Sequence, residues 1–108
     1  PIEWVQGDVT NLDSLRVGMK GVDAVFHVAA LYRQAKFPEL VYWQVNRDGT
    51  ENALRAAKEQ GVGYFSYCST TGVLGDIKTP PADESCPYGP LDVYQESKTE
   101  AEKLVLSW

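Results

Sequence analysis

Apolar and polar positions follow two patterns along the chain. Short runs of apolar residues alternate with longer stretches in which apolar residues recur with the period of a helix. Residues 24–30, Ala-Val-Phe-His-Val-Ala-Ala, are mostly apolar, which is typical of a strand buried on both faces of a parallel sheet. The pattern predicts strand 2–6, helix 11–19, strand 23–30, helix 38–60, strand 63–69, loop 75–90 and helix 92–108. Strands that alternate with helices indicate an α/β fold with a parallel sheet, in which ligands bind at the carboxyl ends of the strands.

Small and branched residues in the longest predicted helix recur every four positions and form one narrow face, at Val41, Val45, Gly49, Ala53 and Ala57. We expect this face to approach the sheet closely where Gly49 has no side chain. Gly61 predicts the end of this helix, because glycine adopts the left-handed conformation that closes a helix. Asp92 and Gln95 resemble a capping pair, which predicts the start of the last helix.

Composition and charge narrow the class of protein. The 108 residues have a net charge of -5, which argues against a nucleic-acid partner because phosphates require a basic surface. No apolar run approaches the roughly 20 residues of a membrane-spanning helix, and no signal peptide is visible. Cys68 and Cys86 are too few for a disulfide framework, and with the single His27 they make no convincing metal site. We therefore expect a cytoplasmic protein with reduced cysteines, no bound metal and no membrane partner.

The most informative motif is Tyr94-Gln-Glu-Ser-Lys98, which lies in the last predicted helix. Residues four apart lie on the same helix face, so Lys98 would lie one turn from Tyr94. A phenol has a pKa of about 10, and a nearby ammonium lowers that pKa toward the range of a general acid or base. Lys98 would also be able to hydrogen-bond a ribose hydroxyl. The alternative is an amphipathic helix with Tyr94 half packed and Lys98 solvated.

Polar residues follow the first and third predicted strands, where a ligand would bind. After the third strand, a hydroxyl of Ser69 or Thr70 could hold a substrate oxygen, although these residue types are also common in ordinary turns. After the first strand, the Asp8 carboxylate could accept from an adenine amino group, and the backbone of Val9 could meet the adenine edge. The alternative there is a strand-to-helix turn in which Thr10 or the neighbouring Asn11 caps the helix.

Small residues follow the second predicted strand, where Val28, Ala29 and Ala30 would let the backbone approach a bulky ligand. The alternative is that alanines simply fit a tight turn. His27 precedes them, and we interpret it as a packed or backbone-bonded strand residue rather than a catalyst.

Together these motifs follow one order along the chain: Gly-Asp-Val at 7–9, His-Val-Ala-Ala at 27–30, Val-Asn-Arg-Asp-Gly-Thr at 45–50, Ser69-Thr70 with Gly75 beyond, and Tyr94-x-x-x-Lys98. In this order and spacing, the chain resembles the extended short-chain dehydrogenase/reductase family, of the NAD-dependent epimerase/dehydratase type. The resemblance covers nearly all of the sequence. It implies a Rossmann-type doubly wound parallel sheet, of which this chain would supply three strands with flanking helices.

The resemblance also implies roles for individual residues. Tyr94 would be the general acid/base, Lys98 would lower its pKa and hold the nicotinamide ribose, and Thr70 would complete the relay with Ser69 beside it. Cofactor contacts, to NAD or NADP, would come from Asp8, Val9, Val28, Ala29, Ala30, Asn46, Tyr94 and Lys98. In this family the asparagine of the Asn-x-x-Gly-Thr motif, here Asn46, usually supports the site from the long helix.

Two parts of the family pattern, the N-terminal glycine-rich phosphate-binding motif and the C-terminal substrate domain, have no counterpart in these residues. We therefore expect residues 1–108 to be part of one NAD(P)-binding domain. In a Rossmann sheet the three predicted strands would be the third, fourth and fifth, so the strand at 2–6 would be separated from the others. Empty strand edges promote aggregation. We predict that the isolated segment is neither stable nor active.

The reaction implied for the parent protein, meaning the full-length protein that contains this segment, is hydride transfer at an alcohol or ketone carbon. A sugar nucleotide is the first substrate class, and a hydroxysteroid- or flavonoid-type ketone is the second. Thr71-Gly72 occupies the place where dehydratases of the family carry Asp-Glu, which argues against elimination of water. A non-catalytic NAD(P) sensor on the same fold is the alternative of another class. The resemblance further implies a homodimer formed through helices 38–60 and 92–108.

Overall fold

The computed structural model describes residues 1–33 and 36–108 of the chain. In chain order, the elements are α1 (Leu12–Gly18), β1 (Ala24–His27), α2 (Glu39–Tyr42), a π-helical segment (Trp43–Asp48), α3 (Gly49–Glu59), β2 (Tyr64–Tyr67), a 3-10 turn (Thr71–Leu74) and α4 (Val93–Ser107). The parts α2, π segment and α3 follow one another without a break and together form the long helix predicted at 38–60.

Strands β1 and β2 form a parallel sheet in which Ala24 pairs with Tyr64 and His27 pairs with Tyr67. The pairing continues one residue further, where the Cys68 amide donates to the His27 carbonyl oxygen at 3.0 Å. Because parallel strands end at the same edge, the residues that follow His27 and Tyr67 lie side by side. The α/β class that the alternating pattern predicts is confirmed.

The strand predicted at residues 2–6 is wrong. Among the described residues no strand pairs with it, and Ile2 and Trp4 are 81% and 90% exposed. A strand is stable only when a neighbour satisfies its backbone N–H and C=O groups, and the described part of the chain supplies no such neighbour. The sheet therefore has two strands here instead of the predicted three.

The predicted end of the long helix and the predicted start of the last helix are both confirmed. Gly61 has a φ of 71° directly after α3, and the Val62 amide donates to the Ala57 carbonyl oxygen at 2.9 Å, as in a Schellman motif. At the start of α4, the Asp92 carboxylate accepts from the Gln95 amide at 2.8 Å. The catalytic motif predicted from the sequence therefore lies in the first turns of a capped helix.

The buried face of the long helix differs from the predicted face in its first half. Val41 and Val45 are only partly buried, whereas Tyr42 and Asn46 are buried. The reason is that residues four apart drift by about 40° per step around a helix of 3.6 residues per turn, so one face cannot hold all five predicted positions. Beyond the π segment, α3 follows the predicted spacing, and its small residues are buried as expected.

Gly49 marks the closest approach on this helix. A β-carbon there would lie 2.8 Å from Cγ2 of Val9, so the contact is with the segment before α1 and not with the sheet. α3 packs against α1, and α4 packs against the π segment and the 3-10 turn. The long helix therefore joins the predicted adenine-side residues on one side to the predicted catalytic helix on the other.

Candidate active site

The candidate site lies at the carboxyl edge of the sheet, where α4 meets the end of β2. The Lys98 ammonium reaches back from α4 and donates to the carbonyl oxygen of Cys68 at 2.7 Å. The 3-10 turn that follows Thr70 packs against the same helix, since a β-carbon on Gly72 would lie 3.0 Å from Cγ of Gln95. The structure thus brings the end of β2 and the first turns of α4 together, as the sequence predicts.

Lys98 is buried, with 3% of its surface exposed, which excludes the alternative of a solvated lysine. Its ammonium nitrogen lies 4.3 Å from the centroid of the Tyr67 ring. Burial lowers the pKa of Lys98, while the charges of Cys68 and Glu102 act in the opposite direction. The cation is therefore held by a carbonyl dipole and an aromatic face in a poorly hydrated position.

Tyr94 lies one turn before Lys98 and is partly buried. Its ring meets the ring of Tyr32 edge to face, with centroids 5.6 Å apart. Arg33, the next residue, forms an ion pair with the helix-capping Asp92. The hydrogen bond to Asp92 is the largest cause that raises the pKa of Arg33, and the charges of Tyr32 and Tyr94 contribute less. The segment after β1 therefore borders the catalytic tyrosine that the sequence predicts.

The two hydroxyl residues after β2 have different surroundings. Ser69 donates its hydroxyl proton to Glu102, which also accepts from the Tyr88 hydroxyl at 3.0 Å. Thr70 accepts from the Gly72 amide at 3.2 Å, which leaves the hydroxyl proton of Thr70 available for another acceptor. Among the described residues Thr70 is therefore the better candidate to donate to a substrate oxygen, with Ser69 as its neighbour.

Asn46 is completely buried and joins the two halves of the site. Its side-chain oxygen accepts from the Leu31 amide at 2.7 Å, and its nitrogen donates to the Leu31 carbonyl at 3.1 Å and to the Ser97 hydroxyl at 3.0 Å. Ser97 in turn donates to the carbonyl oxygen of Tyr94 at 2.9 Å. These bonds fix the segment after β1 against α4. They satisfy the asparagine without a cofactor, and its predicted cofactor contact stays a prediction.

His27 is buried, as the sequence predicts, and its Nε2 lies 2.9 Å from the Thr50 hydroxyl oxygen. Thr50 donates its only hydroxyl proton to the Asn46 carbonyl oxygen at 2.6 Å, so Nε2 must donate to Thr50. In the neutral form, the ring therefore carries its proton on Nε2. Burial lowers the pKa of His27 to about 4, and the charge of Lys98 adds to this effect.

The residues predicted to contact adenine lie beside α3. The exposed Asp8 carboxylate accepts hydrogen bonds from the Thr10 backbone amide and the Thr10 hydroxyl, both at 2.8 Å. The hydrogen bond from the backbone amide is the largest cause of the lowered pKa of Asp8. The Val9 carbonyl accepts from Asn52 of α3 at 2.9 Å. Asn11 caps the N-terminus of α1, which confirms the second of the two predicted caps, Thr10 and Asn11. Asp8 is thus held as a preformed acceptor on the surface.

The small residues after β1 are exposed at the edge of the sheet, at Val28, Ala29 and Ala30. Val28 is 66% exposed, although it follows a buried strand residue. This segment lies between Asp8 and Tyr94, and its side chains are small. An elongated ligand that crosses the strand ends could therefore reach its backbone.

Sequence reasoning missed four residues that support this site, namely Thr50, Tyr67, Ser97 and Glu102. Thr50 ends the Asn-x-x-Gly-Thr motif, and Ser97 and Glu102 flank Lys98 by one and four positions, so helical spacing could have found them. Tyr67 carries no such signal, because an aromatic residue in a strand is ordinarily interpreted as core.

Neither a metal site nor a membrane-spanning helix is present in the described part of the chain. Within residues 1–33 and 36–108, no three His, Cys, Asp or Glu side chains gather where they could hold a metal ion. None of the helices in these ranges combines the length and apolar character needed to cross a bilayer.

Comparison with known proteins identifies related sequences along the entire chain. A model of the 3-beta hydroxysteroid dehydrogenase/isomerase family matches residues 2–108. The 3 beta-hydroxysteroid dehydrogenase/Delta 5-->4-isomerase of Mycobacterium tuberculosis is 36% identical over 121 residues, covering 98% of this chain and 31% of that protein. An N-acetyl-alpha-D-glucosaminyl-diphospho-ditrans,octacis-undecaprenol 4-epimerase of Escherichia coli O157:H7 is 35% identical over 102 residues, covering 94% of this chain and 30% of that protein.

A solved structure agrees with this similarity. The dTDP-glucose 4,6-dehydratase DesIV of Streptomyces venezuelae, crystallised with NAD and TYD, superposes with a TM-score of 0.87 at 30% sequence identity. The match covers 94% of this chain and 32% of the dehydratase. The chain therefore spans about a third of the length of the proteins that it matches.

Proposed function

Because the chain belongs to the 3-beta hydroxysteroid dehydrogenase/isomerase family, we propose that its parent protein transfers a hydride between NAD(P) and one alcohol or ketone carbon of a small molecule. The homologous dehydrogenase and epimerase support an enzyme, and the homologous dehydratase is crystallised with NAD. The observation that carries the proposal is the buried Lys98 ammonium, fixed at the end of β2 one helical turn from Tyr94.

The proton relay consists of three side chains. In the oxidative direction, Tyr94 accepts the proton of the substrate hydroxyl, and in the reductive direction it donates a proton to the carbonyl oxygen. Lys98 stabilises the phenolate because a nearby cation favours the charged form of a phenol. Thr70 donates a hydrogen bond to the same substrate oxygen and orients it. The cofactor supplies the redox step when it is bound.

The residues present fit the nicotinamide end of such a cofactor. Lys98 uses one of its three N–H donors on the Cys68 carbonyl, which leaves donors for a ribose hydroxyl. Ala29 and Ala30 are exposed and too small to obstruct a ligand that crosses the strand ends. On the adenine side, Asp8 is already fixed as an acceptor by Thr10.

Two classes of substrate are candidates, a hydroxysteroid and a sugar nucleotide. The family model and the mycobacterial relative favour a hydroxysteroid, which the sequence alone placed second. The epimerase of Escherichia coli and the dehydratase DesIV act on sugar diphosphate compounds by their names, which supports the sugar nucleotide that the sequence placed first. We place the hydroxysteroid first, because the family model matches residues 2–108 and carries that substrate in its name.

A panel of substrates tests this order. The parent protein is incubated with NAD or NADP and either a 3β-hydroxysteroid or a UDP- or dTDP-hexose, and reduced cofactor is followed by absorbance, with product analysis for epimers. We expect turnover with the steroid. Conversion of a sugar nucleotide alone would reverse the order, and no turnover with either class would contradict the proposed substrates.

A substitution at Tyr94 tests the reaction itself. Tyr94→Phe removes the transferable proton, so we expect turnover to fall by about 100-fold or more, with the Kd for NADH unchanged within a factor of two. Tyr64→Phe in β2 is the matched control, since its ring packs on Phe26 at 6.1 Å and its loss of a hydroxyl should leave turnover intact. A Tyr94→Phe enzyme with wild-type turnover would refute the proton relay.

A homodimer completes the proposal. The π segment and α4 pack against each other, and they share an outward surface that includes Trp43, Glu96, Glu100 and Lys103. We expect two copies of the parent protein to bring these helices together. Multi-angle light scattering would give twice the monomer mass, and a monomeric mass at micromolar concentration would exclude the dimer.

A further inference from the structure

The Lys98 ammonium rests on an aromatic ring, and in the described part of the chain no carboxylate oxygen lies within ion-pair distance of it. Its nitrogen is 4.3 Å from the Tyr67 ring centroid and 2.7 Å from the Cys68 carbonyl oxygen. An ammonium withdrawn from water requires compensating interactions, and the face of an aromatic ring supplies one through its negative quadrupole.

The Tyr67 ring is itself held on two sides. It lies opposite His27 in the sheet register, and the two rings stack with centroids 5.9 Å apart and planes 29° apart. His27 is fixed in turn by its bond to Thr50. Because the strand backbone and the stacked imidazole both restrict the ring, its face stays directed at Lys98.

Titratable and polar groups near Lys98 come from both strands, from α4 and from the long helix. Strand β1 contributes His27, which is neutral because its pKa is lowered to about 4. Strand β2 contributes Tyr67 and Cys68, and burial raises the pKa of Tyr67, so its ring stays an uncharged phenol. Helix α4 contributes Glu102, whose charge acts on Lys98, and Tyr94, whose charge acts on Tyr67. On the long helix, the uncharged Asn46 bonds Ser97, the neighbour of Lys98, and the uncharged Thr50 bonds His27.

From this arrangement we infer that Tyr67 is a positioning residue, whose ring face holds the Lys98 cation in the place that the proposed proton relay requires. The inference rests on the proposed role of Tyr94 and Lys98 as a proton relay, and it adds a residue to that relay. Tyr67 touches neither substrate nor cofactor in this role. It acts through Lys98, and the Tyr67 hydroxyl is not required for it.

A fluorination series at Tyr67 in the parent protein tests the inference. Phenylalanine and increasingly fluorinated phenylalanines keep the shape of the ring while they weaken its negative face. All of them lack the hydroxyl that donates to the Lys98 carbonyl oxygen at 3.5 Å, so the phenylalanine variant is the reference for the series. We expect the pH at which alcohol oxidation reaches half its maximal rate to rise with fluorine content, by about 0.5 to 1 pH unit over the series. The sign follows because a less firmly held Lys98 favours the Tyr94 phenolate less.

The same series at Tyr64 provides the control, since Tyr64 is in the same strand but packs on Phe26. There the pH profile should not change. A Tyr67 profile that is independent of fluorine content, in variants with unchanged melting temperature, would overturn the inference while an inactive Tyr94→Phe enzyme still supported the relay. Wild-type turnover by Tyr94→Phe would overturn the relay and, with it, the role of Tyr67.

Discussion

Gly75 and Gly89 approach each other so closely that a β-carbon on Gly75 would lie 1.8 Å from the Gly89 carbonyl oxygen. Gly75 also has a φ of 63°, which disfavours any side chain. The contact joins the two ends of the loop that leads into α4, and the Gly89 amide donates to the Val73 carbonyl at 2.9 Å beside it. The glycine pair therefore fixes how the chain returns to the predicted catalytic helix.

For this reason we expect Gly75→Ala to lower the free energy of unfolding of the parent protein by about 3 kcal/mol or more, because the backbone must separate at a close contact. Gly61→Ala is the matched control. Gly61 has a similar φ of 71°, but a β-carbon there would meet no atom within 4 Å, so the substitution should cost about 1 to 2 kcal/mol. Urea denaturation measures both, and equal losses would show that the contact is unimportant.

Asn46 should be the least replaceable polar residue of the long helix. Asn46→Leu leaves both backbone groups of Leu31 and the Ser97 hydroxyl without this partner, so we expect a loss of about 2 to 4 kcal/mol in stability and weaker NADH binding. Asn52→Ala removes one bond, to Val9, and should cost about 1 kcal/mol. A smaller loss for Asn46→Leu than for Asn52→Ala would contradict the proposed role of the buried amide.

His27 should make stability depend on pH above the range in which carboxylates titrate. Its pKa in the folded chain is about 4, below the ordinary value of 6.5, so the unfolded state binds the proton first. Stability is then complete above pH 6.5 and falls as the pH approaches 4, by at most about 3 kcal/mol. Glu59, whose pKa is lowered to about 2 from 4.5, contributes only below about pH 4.5.

The measurement for His27 compares urea midpoints of the parent protein and of His27→Gln between pH 7 and pH 4.5. The glutamine amide can still donate to Thr50 but does not titrate, so the variant should lose less stability in this interval than the wild type. Parallel curves for the two proteins would show that His27 is not the group responsible.

Gly49 and Val9 should behave as a coupled pair. An alanine at Gly49 would place its β-carbon 2.8 Å from Cγ2 of Val9, so Gly49→Ala should destabilise the protein by about 1 to 3 kcal/mol despite the better helix propensity of alanine. Val9→Ala in the same chain should recover most of this loss. A double-mutant cycle measures the coupling, and additive losses would mean that the two residues do not clash.

The isolated segment should associate. Phe26 is 71% exposed and Tyr64 is 58% exposed on the two-stranded sheet, and Ile2 and Trp4 are exposed as well. Large apolar surfaces and unpaired strand edges favour association with other chains. We expect the 108 residues alone to elute as aggregates in size exclusion, without a cooperative thermal transition by circular dichroism. A compact monomer that melts cooperatively would refute this prediction.

Local signals predicted most of the fold. The cap at Asp92 and the stop at Gly61 lie where the sequence predicts them, because both depend on a few adjacent residues. The resemblance to the extended short-chain dehydrogenase/reductases is confirmed by the family model and by the structural neighbours. The strand at residues 2–6 was wrong, because an apolar run forms a strand only when a neighbour pairs with its backbone, and none does so among the described residues.

The site was predicted less completely than the fold. Thr70 follows β2 as expected and Lys98 lies in the last helix as expected, whereas Tyr67 and Glu102 were missed because their contacts depend on how α4 packs against the end of β2. The π segment could not be foreseen either, since no single residue in it specifies an i→i+5 turn. The catalytic and cofactor-binding roles, the homodimer and the cytoplasmic location remain predictions.

The π segment has a consequence for deletions in the long helix of this protein. A π turn takes up one extra residue within an α-helical course, so deleting one residue between Trp43 and Asp48 would let a regular helix continue from α2 into α3. The buried Asn46 lies inside this segment, so such a deletion would move its side chain relative to Leu31 while α3 kept its packing against α1. The extra residue therefore sets the position of Asn46, and its loss should affect the candidate site more than the packing of the helix.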